Sequence, residues 1–152
     1  MQSLFKVFQI SILVVFAGTL AQAEVVKMTP DVARAKALAG EIVLIDIRRP
    51  DEWSQTGVPD VALLADMTQR NFLDKIKAIR AQSPDIPLAF TCRTGNRSNY
   101  LTEQLERIGM SDIIDVVGGM SGSDVDQGWV KRGLPVRPAS TPVNAAISIT
   151  QP

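Results

Sequence analysis

With 152 residues the chain has room for one domain. Its 45% hydrophobic and 21% charged residues are those of a globular protein, and 16 basic against 16 acidic residues leave no basic field to gather nucleic acid. There is no histidine and a single cysteine, which excludes Cys-His catalysis, histidine general bases, an internal disulfide and any cysteine- or histidine-cluster metal site.

Residues 1–23 carry a basic Lys6, an apolar stretch from Phe8 to Leu20, and Ala21-Gln22-Ala23. That order is expected of a signal peptide, removed on export to a periplasmic or extracellular space, with no stable membrane association afterwards. Thr29-Pro30-Asp31 opens a helix, with a hydroxyl at the cap and proline in the first turn. Val32, Ala35 and Leu38 are its expected apolar face, and Gly40 its end. Residues 42–47 form an apolar run broken only by Asp46, as in a parallel strand buried on both faces.

A short helix is expected over 50–55, ended by Gly57. Residues 59–66 read as irregular, with a short strand. Phe72, Ile76 and Ile79 set the inner face of a helix over 69–80. A buried strand over 86–91 leads to the cysteine, and a helix over 98–108 follows, with Leu101, Leu105 and Ile108 inward. Residues 113–117 give another apolar strand. A helix over 123–132 is expected, with Ser123 and Asp126 as a capping pair. Strands alternate with helices, so the fold class is α/β, a mostly parallel sheet with helices on both faces. The domain spans 24–137. Residues 138–152, rich in Pro, Ala, Ser and Thr, are an expected flexible tail.

Chemistry gathers at Cys92-Arg93-Thr94-Gly95-Asn96-Arg97-Ser98, between the strand and the helix. Gly95 and Asn96 tolerate the left-handed backbone of a tight turn. A loop curled this way turns successive N–H groups inward and makes an anion nest, to which the helix start adds its own unpaired N–H groups. Arg93 and Arg97 add full charges. Such a setting favours thiolate over thiol, and a thiolate is a nucleophile.

The loop resembles the active-site loop of rhodanese-like sulfurtransferases. Ile45-Asp46-Ile47-Arg48 with Asp51-Glu52-Trp53 and Gly57, then Val117-Gly118-Gly119-Met120, then Gly133-Leu134-Pro135-Val136 resemble further stretches of that family in the same order. The resemblance covers roughly 29–137. It implies a three-layer fold without cofactor, and sulfur transfer through a Cys92 persulfide. The donor would be a small anion such as thiosulfate, the acceptor cyanide or a thiol, with a protein acceptor left open. By the same resemblance Arg93, Thr94, Gly95, Asn96, Arg97 and Ser98 line the substrate site, and Asp46 and Arg48 support the loop from beneath. For Arg97 a structural role, tying the loop to a carboxylate, stands equally open.

Trp53 and Trp129 read as core or rim packing, and Gly118 and Gly119 as a tight turn. The stretch 57–62 departs from the family's usual Gly-His-Ile-Pro-Gly-Ala, and 120–129 is longer than its common spacing. Both bear on the pocket rim. The alternatives are a non-catalytic binding module and a persulfide carrier for a protein partner. A phosphatase or arsenate reductase is disfavoured. Four residues separate Cys92 from Arg97, one fewer than phosphatase loops of this kind use to wrap a tetrahedral phosphate.

Overall fold

The computed structural model describes residues 25–142; the expected signal peptide and most of the expected tail lie outside them. The chain runs β1 (Val26–Met28), α1 (Pro30–Leu38), β2 (Val43–Asp46), α2 (Pro50–Thr56), β3 (Val58–Pro59) and β4 (Leu63–Leu64). It continues through α3 (Phe72–Gln82), β5 (Leu88–Thr91), α4 (Asn96–Arg107), β6 (Ile113–Val116), α5 (Gly128–Lys131) and β7 (Val136–Arg137).

The apolar runs become the middle of a parallel sheet in the order β1-β6-β5-β2-β4, while β3 and β7 form a small antiparallel pair. The residues of β2, β5 and β6 are all buried, so neither face of the sheet's middle meets water. Alternation then divides the core. Val43, Ile45, Leu88 and Phe90 pack on Phe72 and Ile76 of α3 and on Leu101 and Leu105 of α4. Leu44, Ala89, Ile114 and Val116 pack on Ala33 and Ala37 of α1 and on Trp129 of α5. Each large side chain buried this fully contributes about 1.5–3 kcal/mol. The result is three layers, helix on sheet on helix.

Several local expectations need correction. Helix α1 buries Pro30, Ala33 and Ala37, whereas Val32, Ala35 and Leu38 face outward. Alanine methyl groups, not branched side chains, meet the sheet there. Ile108 falls beyond the end of α4 and is exposed. Helix α3 begins at Phe72, because the Asp66 carboxylate holds the preceding turn through Thr68 N and Gln69 Nε2 at 2.9 and 3.0 Å.

The expected helix over 123–132 shrinks to the single turn α5, and Ser123 and Asp126 do not cap it as a pair. Gly122 and Gly128 hold φ of 90° and 78°, which a continuous helix excludes. They also touch: a Cβ on Gly128 would come within 2.3 Å of Gly122 N. Asp126 instead accepts from Gly128 N at 2.7 Å and pairs with Arg132. At the chain's other end, residues 138–142 form a turn, with Thr141 N donating to Pro138 O at 3.0 Å.

Because β2, β5 and β6 are parallel, the segments that follow them emerge on one edge of the sheet. Arg48, Cys92 and the Gly118-Gly119 pair are therefore neighbours. The crevice outside the carboxyl ends of the strands is where open parallel sheets place ligands.

Candidate active site

Cys92 is the first residue after β5 and is completely buried, with its side chain at the edge of the core shared with α3 and α4. The loop turns back over it. Gly95 stands at φ 96°, and its N–H donates to Cys92 Sγ at 3.2 Å. A side chain at Gly95 would need a disfavoured backbone and would press on Gly118 N at 3.1 Å.

Three of the loop's carbonyls are occupied. Cys92 O accepts from Met120 N at 2.9 Å, and Arg93 O from Ser121 N at 2.8 Å. Gly95 O accepts from Asn99 N at 2.9 Å and from Ser98 Oγ at 3.0 Å. Gly119 makes this possible, since a Cβ there would sit 2.4 Å from Cys92 O. By contrast, the N–H groups of Arg93, Thr94, Asn96, Arg97 and Ser98 have no backbone acceptor among the described residues. A run of unpaired donors beside a sulfur is a site for negative charge.

The expected site residues divide by position. Cys92, Gly95 and Ser98 are buried, Thr94 is half-buried, and Arg93 and Asn96 are exposed. Arg93 makes no side-chain hydrogen bond or ion pair among the described residues, so its charge stands free at the loop's outer side. Ser98 turns its hydroxyl onto Gly95 O. Arg97 forks onto Glu52 of α2, with Nη1–Oε2 at 2.8 Å and Nη2–Oε1 at 2.6 Å. That hydrogen bonding holds the Glu52 carboxyl below its usual range, against the opposing cost of burial. Arg97 thus ties the loop to α2.

Asp46 and Arg48 lie beneath. Asp46 pairs in register with Thr91, the residue before the cysteine. Its carboxylate accepts from Arg48 N and Nε, and from Nη2 at 2.7 Å, with both side chains almost wholly buried. Arg48 spends its remaining donors on α2: Glu52 O at 3.2 Å, Thr56 Oγ1 at 2.8 Å and Gly57 O at 2.8 Å. The Thr56 hydroxyl shares the carbonyls of Glu52 and Gly57 with it, at 3.2 and 3.0 Å. Gly57 ends α2 at φ 71°. A strut therefore runs from β2 through Arg48 to α2, and from Glu52 to Arg97 in the loop. Trp129 is core, its indole donating to Pro135 O at 2.9 Å, and Trp53 is half-buried.

One contributor escapes a reading of the loop alone. Glu52 anchors Arg97 from 45 positions away; its signal was an acid in the first turn of an expected helix.

Chemically, the site offers a lone sulfur nucleophile, donors placed around it and a free guanidinium outside. It has no placed general acid, and its second arginine is already paired. These features suit an exchange in which nucleophile and leaving group are both anions.

The family model described as the Rhodanese-like domain matches residues 29–123. Among curated proteins, the chloroplastic thiosulfate sulfurtransferase 16 of Arabidopsis thaliana is 33% identical over 114 residues, which are 70% of this chain and 88% of that one. An uncharacterized protein of Rickettsia prowazekii is 31% identical over 98 residues, 60% of this chain and 80% of its own. Among solved structures, the polysulfide-sulfur transferase homodimer from Wolinella succinogenes superposes with a TM-score of 0.58 at 30% identity, covering 79% of this chain and 83% of that one. A crystal structure from M. tuberculosis gives a TM-score of 0.59 at 26% identity, covering 76% of this chain and 99% of its own.

Proposed function

Since the chain belongs to the rhodanese-like domain family, we propose that it moves sulfane sulfur from an anionic donor of the thiosulfate class to cyanide or a thiol through a persulfide on Cys92. The observation that carries this reading is the loop's polarity: a buried sulfur facing the Gly95 N–H, with five neighbouring N–H groups that have no backbone acceptor among the described residues.

The Cys92 thiolate attacks the outer sulfur of thiosulfate. A new S–S bond forms, the old one breaks, and sulfite leaves with the electron pair. The persulfide's terminal sulfur now bears the negative charge, which the loop donors stabilise. Cyanide or a thiolate then attacks that sulfur, leaves as thiocyanate or a new persulfide, and returns the Cys92 thiolate. No proton moves in either step. Arg93, exposed at the loop, draws the donor in, and Arg97 keeps the loop on α2.

The pairing of Arg97 with Glu52 argues against phosphate hydrolysis, which needs that guanidinium on the equatorial oxygens. Steady-state assays should therefore show thiocyanate formed from thiosulfate or a related sulfane donor and cyanide, with aryl phosphate hydrolysis at least about a hundredfold slower, the loss expected where no group stabilises or protonates the leaving oxygen. Faster phosphate release than sulfur transfer from every donor tried would overturn the assignment.

We also propose export, on the composition of residues 1–23. Amino-terminal sequencing of the protein from an extracytoplasmic fraction should begin at or within a residue or two of Glu24. Retention of Met1 on membrane-bound protein would overturn that.

A further inference from the structure

A helix on the surface of a domain ordinarily turns charged residues to water. Helix α1 does the reverse. Pro30, Ala33 and Ala37 are buried, and the opposite side carries Val32, Ala35, Leu38 and, just past the helix end, Ala39. Val32 is 42% exposed and Leu38 47%. Spaced three residues apart, Val32, Ala35 and Leu38 form one apolar stripe in water.

Each charged side chain of α1 is already matched within its own chain. Asp31 pairs with Arg132 at 2.9 Å, Arg34 with Asp60 at 2.7 Å, and Lys36 with Glu41. The stripe is therefore flanked by closed ion pairs and has no spare charge for an acidic or basic partner. It has none for a lipid headgroup either, whereas helices that lie on membranes present free Lys and Arg. What remains is a neutral apolar surface with a definite symmetry. Ala35 is its midpoint, with Val32 three residues before and Leu38 three after. Turned about a twofold axis through Ala35, the stripe matches itself. Val32 of each copy meets Leu38 of the other, and the two Ala35 methyl groups meet at the centre. Alanine at the crossing lets the helix axes approach to about 8 Å. The chain's 16 basic and 16 acidic residues balance, so two copies approach without net repulsion.

We propose that α1 is a dimerisation face, on which a second copy of this chain packs its own α1 antiparallel about Ala35. A contact of one nine-residue helix on another is smaller than the about 1,600 Å² of a standard interface, so the dimer is weak, with a dissociation constant on the order of 10–100 µM. The pairing does not rest on the sulfur-transfer reading. Cys92 belongs to the core on the other face of the sheet from α1, so separating the copies leaves its chemistry unchanged.

Sedimentation velocity of the purified protein in reductant tests this. From about 1 to 500 µM the weight-average mass should climb towards twofold. Ala35→Arg sets two like charges face to face on the axis and should stay monomeric, its dissociation constant raised at least about a hundredfold. Its circular dichroism and its rate of thiocyanate formation should be those of wild type, because Ala35 is exposed. Leu73→Arg, an equally exposed apolar position on α3 across the sheet, should dimerise as wild type does. In a Cys92→Ser background, Ala35→Cys should link to its own copy on mild oxidation, since axes about 8 Å apart bring the paired Cα atoms within disulfide reach. Ala78→Cys, exposed on α3, should not.

A wild type that stays monomeric at the highest concentration overturns the proposal. So does an Ala35→Arg variant that dimerises as wild type does, or Ala35→Cys linking no faster than Ala78→Cys. Absence of sulfur transfer in the wild type would overturn the functional reading instead, and sedimentation would still decide the dimer.

Discussion

Changing Cys92 to serine is expected to end persulfide formation and to lower sulfur transfer by on the order of a thousandfold or more, as removal of a covalent nucleophile does. Intact mass after incubation with thiosulfate is the direct measurement. Wild type should gain the mass of one sulfur atom and lose it on adding cyanide, and Cys92→Ser should gain nothing. The fold should survive, because the serine oxygen can still accept from Gly95 N–H and the site loses little volume. Far-ultraviolet circular dichroism should overlay. A variant that still gains sulfur, or still turns over at more than a few per cent of wild type, would place the chemistry on another group. Wild-type samples need reductant, since an oxidised thiol would not take up sulfur.

Asp46→Ala is expected to give the largest loss of stability. It removes the carboxylate that accepts Arg48 Nε and Nη2 and strands a buried guanidinium. Breaking one partner of such a pair costs about 3–5 kcal/mol. In a domain of this size that lowers Tm by roughly 10–20 °C. Activity should fall with it, because Arg48 would no longer hold the end of α2, from which Glu52 grips Arg97. Exchanging both partners, Asp46→Leu with Arg48→Met, should recover much of the stability but not the grip, since a thioether has no N–H to give α2. Thermal unfolding and sulfur transfer measured on the same samples check this. A single Asp46→Ala variant that melts within a few degrees of wild type would show that water reaches Arg48.

The sheet and the nucleophile loop were legible because their signals are local. An apolar run, one cysteine, a glycine and an amphipathic stretch mark β5, the loop and α4 within a few dozen residues. The side of α1 that packs was not legible. Val32, Ala35 and Leu38 satisfy helical spacing, and so do Ala33 and Ala37. Only the distance between helix and sheet chooses between them, and that is a property of the assembled fold. The stretch 123–132 looked helical because its caps were present, but Gly122 and Gly128 meet across it in left-handed geometry. For Arg97 the sequence left two roles standing. Its bond to Glu52 joins α4 to α2, a distance in sequence that no pattern at helical spacing reports.

The bonds that clamp the loop from the Gly118-Gly119 side also decide which sign of charge it can serve. Met120 and Ser121 take the carbonyls of Cys92 and Arg93, while Asn99 and Ser98 take that of Gly95. Any of those three units, rotated to offer its oxygen to a cation, would have to give up one of these bonds. The loop therefore cannot invert its own dipoles to suit what arrives. A positive ion drawn towards the sulfur meets the Gly95 N–H in place of a ligand, whereas an anion finds that donor already aimed. Discrimination between ions thus begins in the main chain, before Arg93 or any other side chain takes part.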